Sequence, residues 1–253
     1  MAQHTFCLGT DSPQLLHAAE YLKNAGWRID GTPSKDTAYL LLPIPSLNHQ
    51  GYIRGSGTDL NSLLLQFSET VSVIGGNLNT LLIPPEQKID LLKDAEYLAQ
   101  NAAITAHCAI KVALRHLDCT FQSLRVLVVG WGRIGKCLAR LLRALDTNVT
   151  VAVRNESDRA ILHALGYSTC AISQLCNEAS NYILIFNTVP HPVLDASSCC
   201  PSAVLLELAS SPGITGVGII DGRGLPGKEA PRTSGELIGK TVLRLTQGKE
   251  QLL

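Results

Sequence analysis

The sequence lacks an excess of charge of either sign, because 21 Lys and Arg residues balance 21 Asp and Glu residues. Proteins that bind nucleic acid or anionic membrane surfaces typically carry a basic patch or a basic amphipathic helix, and neither pattern is present. No apolar run reaches the roughly 20 residues of a membrane span. The N-terminus also lacks the basic segment and apolar core of a secretory signal. We therefore expect a cytoplasmic protein without nucleic-acid or membrane partners.

The eight cysteines lack the spacing of a metal site or a redox pair. They form no CxxC pair and no zinc-type pattern with histidine, so the sequence predicts no metal. Without a secretory signal we expect them to be reduced thiols. Cys7 and Cys137 fall in a predicted strand and a predicted helix, where they are expected to be small core residues.

A chain of 253 residues, 45% of them apolar, can form one large or two modest domains with their own cores. In the first part of the chain, apolar runs and helical spacing predict strands at 5–9, 27–29, 38–42 and 71–74. They also predict helices from Asp11 or Ser12 to about Gly26 and at 60–67. This alternation indicates a small α/β unit with a mainly parallel sheet.

The second part of the chain repeats the alternation on a larger scale. A helical stretch at 91–117, with a break near Asn101, leads to predicted strands at 125–129, 149–153, 182–186, 204–207 and 218–220 and a last helix at 234–245. The predicted fold class is α/β: a doubly wound parallel-sheet Rossmann domain plus a smaller α/β N-terminal domain. We place the N-terminal substrate or partner domain at 1–100, a connecting helix at 101–120, the Rossmann domain at 121–238, and a C-terminal helix and tail at 239–253.

The strongest local signal is a largely apolar strand, 124–129, that runs into GxGxxG and then a helical pattern. In such turns the first glycine permits a tight turn, the second admits a diphosphate, and the third lets the helix pack on the strand. N–H groups at the helix start favour phosphate oxygens. A glycine-rich turn without a ligand is the alternative, but the strand and helix context favours dinucleotide binding. The predicted cofactor-binding residues here are Gly130, Trp131, Gly132, Arg133, Ile134 and Gly135.

The end of the next predicted strand indicates the kind of cofactor. NAD-binding sites usually have Asp or Glu there to accept a hydrogen bond from the ribose 2′-hydroxyl. This chain has Arg154, followed by Asn155, and a cation pairs with a 2′-phosphate. We therefore favour NADP over NAD. The alternative is a solvated Arg154, with Glu156 contacting the ribose instead.

Three loops carry the remaining candidate residues. The apolar strand 182–186 runs into Asn187, Thr188, Val189 and Pro190, which we place beside the nicotinamide ribose, although an ordinary turn is the alternative. The strand 204–207 runs into Ser210 and Ser211, where backbone N–H groups can hold a carboxylate. A glycine-rich stretch, 221–235, carries Lys228 and Arg232, whose charges suit a small anionic substrate.

The order of these segments resembles the dipicolinate synthase A-subunit family of spore-forming bacteria. Six motifs carry the resemblance over nearly the whole chain, and the last two are more specific than GxGxxG. They are LLPIPS at 41–46, NAAITAHCAI at 101–110, VVGWGRIG at 128–135, FNTVP at 186–190, LELASSPG at 206–213 and GLPGKEAPRTSGELI at 224–238.

The resemblance implies an NAD(P)-dependent dehydrogenase that oxidises dihydrodipicolinate, or its hydrated precursor, to dipicolinate with NADP during sporulation. It also implies a partner protein, the flavoprotein-like B subunit of dipicolinate synthase. Family members have an arginine at the end of the second Rossmann strand, which Arg154 matches. The protein would hold two substrate carboxylates beside the cofactor. On this basis Ser210, Ser211, Lys228 and Arg232 are expected to anchor the substrate.

One departure from the family leaves the activity open. Where the family usually has a Glu–Gly pair in the connecting helix, this chain has His107 and Cys108. His107 either replaces the glutamate, which makes it a candidate catalytic residue beside Lys228, or it is a packed helix residue. The alternatives are a D-2-hydroxyacid dehydrogenase-like enzyme and a non-catalytic NADP-binding protein. A homo-oligomer is compatible with the sequence, which does not reveal the oligomeric state.

Overall fold

A computed structural model describes the backbone of residues 5–250 and the side chains of residues 5–247. The chain forms two compact units. The first contains residues 5–101 and 230–250, and the second contains residues 102–229. The second unit therefore ends at 229 rather than at the predicted 238. The assignment of functions to the domains stays a prediction.

The elements alternate along the chain as the sequence predicts. The strands are β1 (Thr5–Leu8), β2 (Arg28–Asp30), β3 (Tyr39–Leu41), β4 (Ser72–Gly75), β5 (Lys88–Asp90), β6 (Arg125–Val129), β7 (Asn148–Val153), β8 (Ser168–Ala171), β9 (Leu184–Asn187), β10 (Leu194–Asp195), β11 (Val204–Glu207), β12 (Ile214–Thr215) and β13 (Ile219–Asp221). The helices are α1 (Pro13–Asn24), α2 (Leu60–Leu64), α3 (Ala95–Leu114), α4 (Arg133–Ala144), α5 (Glu156–Ala164), α6 (Leu175–Glu178), α7 (Leu225–Glu229) and α8 (Pro231–Glu250). Short 3-10 helices lie at Leu78–Thr80, Pro85–Gln87, Leu91–Lys93, Ile172–Gln174, Ala179–Asn181 and Ala196–Ser198.

The first unit is built on a parallel five-stranded sheet in the order β2-β1-β3-β4-β5. Ser12 caps α1 by accepting a hydrogen bond from the N–H of Leu15, as its position before the apolar helical pattern predicts. Apolar side chains of β3 and β4, among them Leu40 and Val73, pack in the core of this unit. The edge strand β5 has three residues and was not predicted, because so short a strand has no readable alternation.

The second unit is built on a parallel six-stranded sheet in the order β13-β11-β9-β6-β7-β8. Numbered along the chain, this is the doubly wound order 3-2-1-4-5-6, which turns back between β6 and β9. The predicted Rossmann fold is therefore confirmed. Strand β8 was not predicted, because its residues, Ser-Thr-Cys-Ala, are small and largely polar.

The central strand and the helix after it show why this fold forms. Four of the five residues of β6 are buried, as expected of a parallel strand covered on both faces. In α4 the apolar residues Leu138, Ala139 and Leu142 face the core and the basic residues face solvent. Burial of each such leucine contributes about 1.5–3 kcal/mol.

Helix α8 is longer than the predicted 234–245 and belongs to the first unit, where it packs on α1. Two glycines make the close approach: a Cβ atom at Gly235 would lie 2.6 Å from the Cβ of His17, and one at Gly239 would lie 2.8 Å from the ring of Tyr21. Part of the motif at 224–238 is therefore used for helix packing.

Four of the eight cysteines are buried, and none of the eight, all of which the structure describes, forms a disulfide. Cys7 is buried as predicted, whereas Cys137 is half-buried. Burial raises the pKa of the Cys170 and Cys199 thiols to about 11, which keeps them protonated at neutral pH. Among the described residues, no helix combines the length and hydropathy needed to cross a bilayer.

Candidate functional site

The turn between β6 and α4 begins with a glycine in a conformation that other residues rarely adopt. Gly130 has a φ of 102°, in the left-handed region. A Cβ atom at this position would lie 2.5 Å from Thr188 Oγ1 and 2.9 Å from a methyl carbon of Val189. The chain that leaves β9 therefore packs directly against the turn, and only a glycine leaves room for it.

The other two glycines of the turn differ in their surroundings. Gly135 is buried, and a Cβ atom added there would overlap the carbonyl oxygen of Gly130. Gly132 is exposed, and a Cβ atom added there would meet nothing within 4 Å. Gly135 thus lets the helix pack on the turn, whereas Gly132 borders the open space that a diphosphate needs to reach the backbone.

The first turn of α4 faces that space with its backbone N–H groups. The helix begins at Arg133 with no side-chain cap among the described residues, so its first amides suit an anion. Arg133 is exposed and Ile134 is half-buried. Trp131 is half-buried, with its ring centroid 5.9 Å from that of Tyr167 and 5.8 Å from Lys136 Nζ. The indole thus braces the turn from one side.

Arg154 and Asn155 lie at the carboxyl end of β7, and both are exposed. None of the hydrogen bonds or ion pairs recorded among the described residues involves the Arg154 guanidinium. Glu156, the alternative ribose contact, pairs with Arg159 at 3.0 Å. Arg154 is therefore an exposed cation without a recorded partner in the described part of the chain, at the carboxyl end of β7.

The loop after β9 is held by its own buried amide. Asn187 is fully buried, and its Nδ2 donates to the carbonyl of Val189 at 2.9 Å, while its Oδ1 accepts from the N–H of Val189 at 3.1 Å. The hydroxyl of Thr188 donates to the carbonyl of Val129 at the end of β6 at 2.8 Å. Two predicted cofactor-binding segments, the glycine-rich turn and this loop, therefore lie side by side.

A buried carboxylate lies at the end of β11, at the same edge of the sheet as the glycine-rich turn and the loop after β9. Glu207, which is 4% exposed, accepts hydrogen bonds from Asn187 Nδ2 at 2.8 and 3.0 Å. It also accepts from the N–H groups of Ala209, Gly213 and Ile214 at 2.9, 2.7 and 2.9 Å. One side chain therefore fixes the loops that follow β9 and β11.

The segment between these fixed points is open to solvent. Ser210 and Ser211 are exposed, as is Pro190 in the neighbouring loop. Among the described residues, no recorded hydrogen bond uses either serine hydroxyl. The structure therefore presents both hydroxyls beside the loops that Glu207 fixes, where a carboxylate could accept from them.

Lys228 is exposed on α7, and its Nζ donates to the carbonyl of Arg223 at 3.0 Å. Arg223 in turn forms a bidentate pair with Asp221, at 2.8 and 2.9 Å. The Arg223 guanidinium lowers the pKa of Asp221 to about 2. The loop that contains the Asp221–Arg223 pair thus holds Lys228 at the carboxyl end of the edge strand β13.

Helix α7 is fastened to α3 through the residue after the lysine. The Glu229 carboxylate accepts from both terminal nitrogens of Arg115, at 2.7 and 2.5 Å, and pairs with Lys111 at 3.2 Å. Hydrogen bonding to Arg115 lowers the pKa of Glu229 to about 2. His107 lies on α3 two turns before Arg115 and is exposed. It is therefore not the packed helix residue that the sequence also allowed.

The fourth predicted substrate anchor, Arg232, lies on α8 in the first unit, whereas Lys228 belongs to the second. Its side chain is 79% exposed and pairs with Glu236 at 2.9 Å. The sequence placed both cations in one rigid loop. The structure instead divides them, because the helix α8 begins at Pro231.

The first unit has, at its own sheet, a cation that the sequence analysis did not single out. Its strand order turns back between β1 and β3, the position at which such sheets bind ligands. A Cβ atom at Gly55, in the loop after β3, would lie 3.6 Å from Thr10 Oγ1, just after β1. Arg54 is exposed beside Gly55, and its Nε donates to the carbonyl of Leu47 at 2.8 Å. The loop thus holds a guanidinium at the switch point of the first sheet.

No protein-family model matches the chain. A curated relative, the A subunit of dipicolinate synthase from Bacillus subtilis, is 26% identical over 238 residues, which are 86% of this chain and 80% of the relative. The resemblance to the dipicolinate synthase A-subunit family is confirmed.

Two solved structures of the dipicolinate synthase A subunit share the fold over nearly the whole chain. The protein from Bacillus halodurans superimposes with a TM-score of 0.81 at 23% identity, covering 97% of this chain and 98% of the other. The protein from Bacillus subtilis superimposes with a TM-score of 0.79 at 21% identity, covering 100% and 98%. Both units of this chain are therefore present in those two proteins.

Two residues that organise the site went unassigned in the sequence analysis. Glu207 ends a buried apolar strand, and a lone acid in that position is the signal that could have identified it. Glu229 lies in a stretch with several charges, where no local pattern distinguishes a paired carboxylate from a solvated one. Its partners Lys111 and Arg115 are more than a hundred residues away in the sequence.

Proposed function

We propose that the protein is an NADP-dependent oxidoreductase that oxidises dihydrodipicolinate, or its hydrated precursor, to dipicolinate. The observation that carries the proposal is the glycine-rich turn, where Gly130 and Gly135 are closely packed and Gly132 borders open space. The curated relative, named as part of dipicolinate synthase, supports the substrate class.

The residues of the second unit fit a dinucleotide. The amides of residues 130–135 would hold the diphosphate, Arg154 with Asn155 would hold the 2′-phosphate, and the loop of Asn187, Thr188, Val189 and Pro190 would face the nicotinamide ribose. When bound, the nicotinamide supplies a hydride acceptor for a C–H bond of the substrate ring. The chain itself would bind the cofactor and the substrate, orient them and exclude water from between them.

The substrate carries two carboxylates and loses a proton as it becomes aromatic. The hydroxyls of Ser210 and Ser211 and the cations of Lys228 and Arg232 would bind the carboxylates, since charge-assisted hydrogen bonds are among the strongest available. His107, an exposed imidazole on α3, would take the proton, and Lys228 would orient the ring by its charge. This division of roles is part of the proposal.

The wider setting follows from the name of the relative. Because the curated protein is named as one of the subunits of a synthase, we propose that this chain works with a separate protein, the B subunit of dipicolinate synthase. The proposed setting is the cytoplasm of a sporulating cell.

A direct assay tests the proposed function. Purified protein is mixed with NADP and enzymatically made dihydrodipicolinate, with and without the candidate B subunit, and absorbance in the nicotinamide band is followed. We expect reduced cofactor to accumulate in step with dipicolinate. Cofactor binding without turnover in either mixture would instead indicate a non-catalytic NADP-binding protein, and turnover of D-2-hydroxy acids would indicate the other alternative.

Arg154 should determine the choice between NADP and NAD. In Arg154→Gln, loss of a charge-assisted contact to the 2′-phosphate is expected to weaken NADP binding roughly 10- to 100-fold, with NAD binding unchanged. Titration calorimetry with both cofactors measures the effect. Arg140→Gln, which removes an exposed arginine from α4, is the matched control. Tighter binding of NAD than of NADP by the unmodified protein would contradict the assignment.

A further inference from the structure

The carboxyl group of Glu207 has an unusual set of partners. Both oxygens face N–H groups, three from the backbone and one from Asn187, and every one of these groups is a donor. A protonated carboxyl would have to turn its own hydrogen toward one of them. These partners match the acceptor-only carboxylate group, which lies buried at the edge of the sheet.

No cation in the described residues pairs with this charge. The Arg223 guanidinium forms a bidentate pair with Asp221, which is the main cause of its raised pKa, and the charge of Glu207 adds to that shift. The hydrogen bonds compensate for desolvation of Glu207 without adding a positive charge. A buried negative charge that no described cation pairs with therefore acts on whatever lies beside the loops after β9 and β11.

A neutral side chain at position 207 would weaken both roles of Glu207, which are to hold the loops and to supply a negative charge. Two different substitutions can separate these roles. A glutamine keeps one acceptor oxygen but turns an NH2 group toward N–H donors, so it disturbs the loops as well as removing the charge. An aspartate keeps the charge but shortens the reach. Comparing the two variants therefore distinguishes the positioning of the loops from the effect of charge.

We propose that the buried charge of Glu207 makes the site bind the oxidised nicotinamide cofactor more tightly than the reduced one. The inference rests on the proposed function, because it takes the edge formed by β9 and β11 as the nicotinamide end of the site. The oxidised ring is a cation and the reduced ring is neutral, while the phosphates and riboses are the same in both. The ratio of the two affinities therefore isolates the interaction with ring charge.

This preference bears on cofactor binding and release rather than on the hydride transfer itself. A site that favours the cationic ring selects the form that accepts the hydride. After transfer the ring has lost its charge, and with it the attraction to Glu207, so the reduced product is held more weakly and leaves more readily. Glu207 is a positioning residue here, since it acts through the field at the site and through the loops that it holds.

The test measures two dissociation constants for each protein, one for NADP and one for NADPH. Both are obtained from the quenching of tryptophan fluorescence, to which Trp131 contributes from within the turn. The unmodified protein should bind the oxidised form about tenfold more tightly. Glu207→Gln should bring the ratio close to one, and Glu207→Asp should keep the preference even where both affinities fall. Asp195→Asn, which removes an exposed carboxylate from the same unit, should leave the ratio unchanged.

The outcomes separate this inference from the function on which it rests. Equal affinity for the two forms in the unmodified protein overturns the inference, needs no variant, and leaves the proposed function standing. A ratio that Glu207→Gln does not change also overturns it, because the preference then has another source. Binding of neither form rejects the cofactor assignment and the inference together.

Discussion

The Gly132→Ala protein is expected to fold normally and to bind NADP about a hundredfold more weakly, because loss of a charge-assisted hydrogen bond to the diphosphate costs about 1.5–3 kcal/mol. The φ of Gly132 is −77°, which alanine adopts without strain, and an added Cβ would meet no protein atom within 4 Å. The methyl group instead occupies the space in which a diphosphate would contact the backbone. Calorimetric titration with NADP and a thermal melt on the same sample measure the two quantities.

Gly135→Ala is the matched control, three residues along the same turn. Its Cβ would overlap the carbonyl oxygen of Gly130, so this variant should be destabilised by about 1–3 kcal/mol. The two alanines are thus expected to separate binding from stability. A Gly132→Ala protein that binds NADP as tightly as the unmodified chain would contradict the proposed cofactor site.

The sequence alone was sufficient to predict the structure where a strand pattern and a helix pattern meet at the glycine-rich turn. Strand β6 has the predicted bounds, and α4 begins directly after Gly132, because a buried β-branched strand and an amphipathic helix are both local patterns. Strand β11 also has its predicted bounds. The doubly wound order then follows, since right-handed crossover connections leave few arrangements for alternating strands and helices.

The sequence was insufficient where long-range packing decides the structure. Gly235 lies in the motif at 224–238, two residues of which were predicted to bind substrate, and Gly239 directly follows that motif. Both glycines instead serve the contact between α8 and α1, which begins more than two hundred residues earlier. The hydrogen bonds of Glu207 are to loop residues that form no recognisable sequence motif. Such contacts depend on which elements meet in the fold, and no local propensity reports that.

Replacing Lys228 by alanine should raise the KM for the substrate sharply and leave NADP affinity unchanged. Loss of a charge-assisted hydrogen bond to a carboxylate costs about 1.5–3 kcal/mol, which corresponds to roughly a 10- to 100-fold increase in KM. NADP affinity should hold, because Lys228 lies on α7 and none of the predicted cofactor-binding residues does. Steady-state kinetics at saturating NADP, with a separate NADP titration, measure both effects.

The control for this change is Lys240→Ala, which removes an exposed lysine from α8. A second variant, Lys228→Arg, keeps the charge and should recover much of the substrate affinity. The comparison matters because Lys228 also donates to the carbonyl of Arg223, so the alanine variant loses a bond within the loop. If that internal bond were the whole role of the lysine, the melting temperature would fall while KM stayed constant, and Lys228 would not be a substrate anchor.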